Sequence, residues 1–244
     1  MQVFASTDSG RVREMNQDYY YISKQYEEAK VFILADGMGG YKGGEIASKL
    51  AVETAKNYIA NNYKNVQKDD KESILDLIKN AVEYANLVVY EKSKSDKELE
   101  EMGTTLDICL IYNNKLYIGH VGDSRIYRIR KNIIRKLTTD HSYVETLVKD
   151  GTITREEASN HPKKNMLMKA LGCTAYVEPD LLIKGYLKGD VILLNSDGLT
   201  NMLTDAQIYD IIKENETRPD LQLIKKANEN GGYDNITVII IKNN

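Results

Sequence analysis

ILADGMGG, residues 33–40, ends an apolar run that begins at Val31 and drives it into a carboxylate followed by glycines. An Asp-Gly step alone marks a turn. It also suits a cation site. A carboxylate at the end of a rigid strand is firmly held, and glycines beside it let backbone carbonyls and a ligand approach closely. The format recurs along the chain: LYIGHVG runs into Asp123-Ser124, and VILLNS runs into Asp197-Gly198. Asp234, in GGYDNITVIII, stands just before an apolar strand, and Asp18, in RVREMNQDYYYI, enters one. Five aspartates at strand edges are hard to explain as isolated turn residues.

The segments around them alternate between two periods. Residues 31–36 read as a strand. Residues 44–62 read as an amphipathic helix, with Ile46, Leu50, Thr54 and Tyr58 at helical spacing. A second helix covers 73–90, and the charged run 91–101 reads as a solvated helix end or loop. Residues 106–112, 115–123, 124–130 and 132–138 then read as consecutive antiparallel strands. Asn113-Asn114 suits a hairpin turn that needs positive φ. Residues 142–172 are polar and irregular, with short helices, and Thr154 to Glu157 fits a capping box. After the 191–198 strand, Thr204 and Gln207 cap a helix. Pro219 opens a last helix that stops at Gly231-Gly232, and 236–241 is a closing strand. This order predicts an α+β fold in which two antiparallel sheets are flanked by helix pairs, a four-layer α-β-β-α sandwich.

Bulk composition narrows the function. The chain has 244 residues, 42% hydrophobic and 28% charged, with a formal net charge of −3. That is ordinary globular composition, and it lacks the basic excess of a nucleic-acid binder. With few prolines and no low-complexity linker, 1–244 reads as one domain. Cys109 and Cys173 form no CxxC pair, and Cys109 sits in a strand-like run as a small core residue. A reduced, cytoplasmic setting fits. The N-terminus has no signal-peptide pattern, and the apolar runs fall far short of the ~20 residues that span a bilayer.

Acids gathered at one end of a sandwich would repel one another unless protons or cations neutralised them. All-oxygen ligation favours Mg²⁺ or Mn²⁺ over zinc. His120, His141 and His161 show no zinc-type spacing, which leaves them surface or supporting roles. Two divalent ions would offset the charges of Asp18, Asp36, Asp197 and Asp234, and a near-neutral site could then accept a phosphate dianion. Arg13 is a candidate fork for two phosphate oxygens.

TDSGRVREMNQD (7–18), ADGMGGYKGGEIAS (35–48), MGTT (102–105), HVGDSRIY (120–127), TDHSYVETLVKDGTITREEA (139–158), HPKKNMLMKALG (161–172), NSDGLTN (195–201) and ANENGGYDNIT (227–237) span nearly the whole chain. Together and in order, they resemble the metal-dependent protein serine/threonine phosphatases of type 2C, especially the small bacterial single-domain members. The resemblance implies a binuclear Mn²⁺ or Mg²⁺ centre at one end of the sandwich. Asp36 would bridge the two ions and the Gly37 carbonyl would bind one of them. Asp197 and Asp234 would bind the other, and Asp18 would act through metal-bound water. Asp123 with Asp197 matches the position of a third, weaker metal, Arg13 matches the phosphate-binding arginine, and 142–172 matches a flap beside the site. It further implies hydrolysis of phosphoserine and phosphothreonine by a metal-bridging water. The expected partners are a Ser/Thr kinase and its substrates, and nothing in the sequence requires a dimer.

Three positions depart from the pattern. Gln17 stands where many relatives have Glu, which bears on metal affinity and on the water's pKa. Met38 stands where eukaryotic relatives carry a His proposed as general acid, and Tyr233 stands where an acid is common. Rival readings fare worse. A binding module without turnover would not need the full acid set. GMGGYKGG lacks the G-x-x-x-x-G-K-[ST] of a phosphate loop, since Lys42 falls between glycines. A phosphatase using Asp36 as nucleophile would want a second Asp at the place of Met38.

Overall fold

The computed structural model describes the chain except Gln25 and Tyr26, and describes residues 40–42 by backbone alone, so the Lys42 side chain lies outside the described residues. In chain order come β1 (Gln2–Asp8), β2 (Asp18–Ile22), β3 (Lys30–Met38), α1 (Gly40–Asn62), α2 (Lys71–Ser95), β4 (Gly103–Thr104), β5 (Leu106–Tyr112) and β6 (Lys115–Val121). They are followed by β7 (Arg125–Arg130), β8 (Ile133–Lys136), α3 (Tyr143–Lys149), α4 (Arg155–Ser159) and β9 (Asp180–Gly185). The chain closes with β10 (Val191–Asn195), α5 (Asp197–Thr200), α6 (Asp205–Glu214), α7 (Pro219–Glu229) and β11 (Ile236–Lys242).

The strands form two antiparallel sheets, ordered β1-β11-β10-β7-β8 and β2-β3-β5-β6-β9, with β4 paired to β3. The two-residue period of a strand sorts the core into three seams. From β3, Phe32 and Leu34 face Ile239 and Ile241 of β11 in the seam between the sheets. Val31, Ile33 and Ala35 face the other way, onto Ala47, Ala51 and Ala55 of α1 and Ile78 and Ala81 of α2. Ile236, Val238 and Ile240 pack on Ile208 and Ile212 of α6 and Leu223 of α7. The apolar strands therefore lack polar alternation because both their faces are covered. This is the expected four-layer sandwich.

Several local expectations hold. Asn113 and Asn114 have φ of 45° and 56°, and the Thr154–Glu157 and Thr204–Gln207 capping boxes form. Cys109 is buried in the inter-sheet seam. Other boundaries shift. The first helix starts at Gly40, ahead of 44, and the second runs on to Ser95, into the charged run. Asp70 caps that second helix by accepting from the Glu72 N–H, and Lys92 and Lys94 complement its last turn. Strands β1 and β9 were not expected. β1 is an edge strand carrying polar Ser6 and Thr7, and its partner β11 lies more than two hundred residues away, paired from Gln2↔Lys242 to Asp8↔Ile236. No local pattern announces such a pairing.

Candidate metal centre

Strand pairing puts Asp18 directly opposite Asp36. The β10–β11 pair brings the strand ends next to Asp197 and Asp234 to the same end of the sandwich. Asp123 follows β6 in the other sheet. A cleft of about 460 Å³ opens there, lined by Asp36, Asp123, Asp197 and Asp234 together with Arg13, Gln17 and Gly37. Asp18 is buried just behind them. Six elements distant in sequence thus place every expected site residue in or against one cavity.

The floor of the cleft is built from backbone contacts. The Asp36 N–H donates to Thr105 Oγ1 at 2.8 Å, and the Asp36 carbonyl accepts from the Thr105 N–H and Thr104 Oγ1, both at 2.9 Å. The MGTT segment therefore clamps Asp36 from both sides. At Gly37 a Cβ would lie 2.0 Å from the Gly44 carbonyl oxygen, and at Gly198 a Cβ would lie 2.0 Å from the Asn235 carbonyl oxygen. These are the close approaches that glycine permits. Asn235 ties the N-terminal loop to the floor: it accepts from the Gln17 N–H at 2.8 Å and donates to the Ser9 and Met15 carbonyls at 3.0 and 2.8 Å.

The electrostatics suit a cation. Burial, then the charges of Asp18, Asp197, Asp123 and Asp234, hold Asp36 well above the usual carboxylate range. Burial pushes Asp18 up to about 7, against hydrogen bonds from Thr237 and Ser196. Burial and the Asp197 charge push Asp123 up to about 8, and burial with the Asp234 charge pushes Asp197 up to about 6. Asp36 and Asp197 approach within side-chain hydrogen-bonding range, which two ionised carboxylates tolerate only with a proton or a cation between them. Asp18 Oδ2 accepts from Ser196 Oγ at 2.7 Å, whereas its Oδ1 is buried without a partner. Among the described residues no three His, Cys, Asp or Glu side chains close into a ready-made cage. The acids spread around the cavity instead, as suits Mg²⁺-like ions that keep several waters. The oxygen-only donor set fits such ions.

Arg13 Nη2 donates to Asp234 Oδ2 at 2.9 Å, which leaves its guanidinium half-exposed at the rim with donors to spare. Of the surface and supporting roles expected for the histidines, His120 takes a supporting one: it is fully buried, with Nδ1 2.7 Å from Asp107 Oδ1 and Nε2 3.0 Å from the Thr139 carbonyl. His141 Nδ1 accepts from the Gly122 N–H at 3.1 Å, bracing the turn before Asp123. Met38, singled out in the sequence, lines the floor. Thr105, Asn165 and Leu167 were not foreseen: Thr105 also comes from the floor, and Asn165 and Leu167 come from the 142–172 segment, which forms one wall. Thr105 lay inside the quoted MGTT motif. Asn165 sits in a polar stretch without periodicity and gave no signal. A second recess, of about 240 Å³, shares Asp123, Asp197 and Asn165 and continues toward Arg155 and Lys164.

Comparison with known proteins agrees with the cleft. The protein phosphatase 2C family model matches residues 9–220. A serine/threonine phosphatase stp of Listeria innocua is 36% identical over 240 residues, covering 98% of this chain and 94% of that protein. A protein phosphatase PhpP of Streptococcus pneumoniae is 37% identical over 248 residues, covering 100% and 98%. Among solved structures, the Streptococcus agalactiae serine/threonine phosphatase superposes with a TM-score of 0.90 at 37% identity, covering 100% of this chain and 99% of that one. The catalytic domain of the serine/threonine phosphatase PstP, solved with two manganese ions, gives 0.84 at 34% identity, covering 98% and 96%. The chain belongs to the protein phosphatase 2C family.

Proposed function

We propose that this chain is a Mn²⁺- or Mg²⁺-dependent protein phosphatase that hydrolyses phosphoserine and phosphothreonine on proteins. The observation that carries the reading is the single cleft in which Asp36, Asp123, Asp197, Asp234 and Arg13 meet. Asp36 and the Gly37 carbonyl would hold one ion, and Asp36, Asp197 and Asp234 the second, with Asp123 and Asp197 available to a third. When bound, such ions supply a Lewis-acid clamp on the phosphoryl oxygens and an attacking water acidified toward neutral pH.

The chain's own groups do the rest. Arg13 offers its spare guanidinium donors to two phosphate oxygens and neutralises charge on the phosphoryl group. Asp18, with Oδ1 free and Oδ2 held by Ser196, accepts a hydrogen bond from water at the back of the cleft. The Thr104–Thr105 clamp keeps the Asp36 backbone fixed, so that the acid does not swing away as ligand charge changes. Residues 142–172 act as a flap within one phosphatase domain spanning 1–244, and the cleft accepts an extended phosphorylated segment alongside it. The partners that follow are phosphorylated proteins and the Ser/Thr kinase that modifies them, in the cytoplasm, with the chain acting as a monomer. No helix among the described residues is long and apolar enough to cross a membrane.

The test is hydrolysis of a phosphothreonine peptide by protein stripped with EDTA and re-supplied with Mn²⁺, beside the Asp36→Asn variant. Activity that needs metal and vanishes in the variant supports the reading. Bound metal without turnover would leave a binding module.

A further inference from the structure

The hairpin β7–β8, at the edge of the first sheet, breaks the rule that governs the rest of the inter-sheet seam. Strand alternation puts Arg128 and Arg130 on the same face as Ile126, which is buried between the sheets. In register, Arg128 stands opposite Arg135, and Arg130 opposite Ile133. Where the seam should continue apolar, it opens instead into a recess of about 170 Å³ lined by Arg128, Arg130, Lys131, Ile133 and Arg135. Like charges directly opposite on paired strands are destabilising. Burial and the neighbouring Arg130 charge hold Arg128 below its ordinary range, with Arg135 adding to the effect.

Internal partners account for only part of this charge. Asp190 is committed to Arg130, accepting from Nε at 2.7 Å and Nη2 at 2.6 Å, and it also accepts from the Leu187 N–H at 2.7 Å. Arg128 Nη1 donates to the neutral Gly185 carbonyl at 3.0 Å, which Arg130 Nη2 shares. Arg135 has no ion pair among the described residues. Lys131 adds a fourth cation at the hairpin tip, at φ 48°, a conformation better suited to Gly or Asn. Protection of an exposed sheet edge explains cations on β8 but not those on β7, which lies inside the sheet. The whole chain carries −3, so this is a local concentration of positive charge on an acidic protein.

We propose that this recess is a docking site for a phosphorylated or acidic segment of a protein substrate, separate from the cleft that holds the scissile phosphate. The proposal rests on the phosphatase reading above. Planar guanidinium forks match a compact oxoanion bidentately, and a concave recess receives a projecting phosphate better than it receives a flat lipid surface. Arg125 lines the second recess beside Asp123 and Asp197, and Arg128 and Arg130 lie three and five residues beyond Arg125, roughly 10 and 17 Å along β7. A substrate held at the cleft therefore reaches the recess with a second, distant anionic group.

The test uses the double variant Arg128→Gln/Arg135→Gln, which leaves the Arg130–Asp190 pair intact. Arg135→Gln alone, at an exposed position, guards against misfolding, and Arg128→Lys/Arg135→Lys tests rescue by charge. Binding of a fluorescent phosphoserine peptide is read by anisotropy on EDTA-treated protein, where the bare acidic cleft repels phosphate. The expected result is roughly tenfold weaker binding in the Gln double variant, a smaller loss in Arg135→Gln, partial rescue by Lys and a shallower salt dependence. With Mn²⁺, KM for a phosphoprotein should rise by a similar factor at unchanged kcat, while p-nitrophenyl phosphate kinetics stay as in the wild type. Equal peptide binding by wild type and variants would overturn the proposal. So would binding to phosphatidylserine vesicles that the variants lose while phosphopeptide binding is unchanged, which would mark a membrane-facing surface. Absence of p-nitrophenyl phosphate hydrolysis in the wild type would sink the phosphatase reading instead, and the anisotropy comparison would still decide the recess.

Discussion

The floor and the wall of the cleft are held by different forces. The floor, with Asp36, Asp197 and Asp234, stands on strand ends buried in two sheets, clamped by Thr104 and Thr105 and closed by backbone-to-backbone approaches at Gly37 and Gly198. The wall, with Asn165 and Leu167, belongs to the 142–172 segment. One isolated bridge, Thr104↔Leu171, ties that segment to the floor, and a second, Ser142↔Leu167, closes the segment on itself. One of its ion pairs joins a buried acid to open solvent: Arg155 reaches Glu145 at 3.3 Å with most of the arginine exposed. A floor built this way tolerates almost no change in volume, whereas a wall of exposed polar contacts tolerates substitution. Chemistry that needs fixed oxygens belongs on the first, and discrimination among substrates on the second.

The largest effects should come from the floor. Gly37→Ala drives a Cβ to 2.0 Å from the Gly44 carbonyl. Activity should fall on the order of a thousandfold and thermal stability by several kcal/mol. A variant with wild-type kinetics and melting temperature would show that the strand end is softer than described. Next in size, Thr105→Val removes the hydroxyl that accepts from the Asp36 N–H and leaves that group buried without a partner, at a cost of about 1–3 kcal/mol. Its kcat should drop roughly tenfold. An unchanged kcat would mean the clamp supports the fold but not the reaction.

A pH effect sits between floor and wall. Burial and the neighbouring His120 push His141 down to about 4 from 6.5. The folded protein then binds fewer protons than the unfolded chain between those values. Its contribution to stability is fully present above pH 6.5 and is lost as pH falls toward 4. Melting temperatures across that range should decline less steeply in His141→Gln than in the wild type, and parallel curves would remove His141 from the account. The smallest effects belong to the wall. Arg155→Ala should change stability by less than about 1 kcal/mol and leave p-nitrophenyl phosphate turnover intact while shifting KM for phosphopeptides a few-fold. Loss of small-substrate turnover would merge wall and floor into one functional unit.

The same contrast explains what the sequence made legible. The floor is legible because apolar runs break abruptly: strands ending in Asp-Gly at 36 and 197, and Asp234 before another strand, announce themselves where a continuous apolar stretch meets turn chemistry. The capping residues Thr154 and Thr204 and the Asn113-Asn114 turn are local for the same reason. What stayed hidden is long-range. β1 finds β11 across the length of the chain, His120 meets Asp107 through a strand pairing, and Thr105 acts on Asp36 from the far side of two helices. Asn165 reaches the cleft only because its irregular segment folds back over it. The acids could be named from the sequence, but the groups that hold them could not.

The most direct measurement is manganese titration of EDTA-stripped protein by calorimetry, comparing wild type with Asp36→Asn and recording phosphothreonine hydrolysis along the same titration. Asp36 placed between two ions predicts two tight Mn²⁺ per chain, turnover that appears as they fill, and loss of both tight binding and turnover in the variant. Turnover in the absence of metal, or an Asp36→Asn variant that binds two ions and hydrolyses like the wild type, would contradict it.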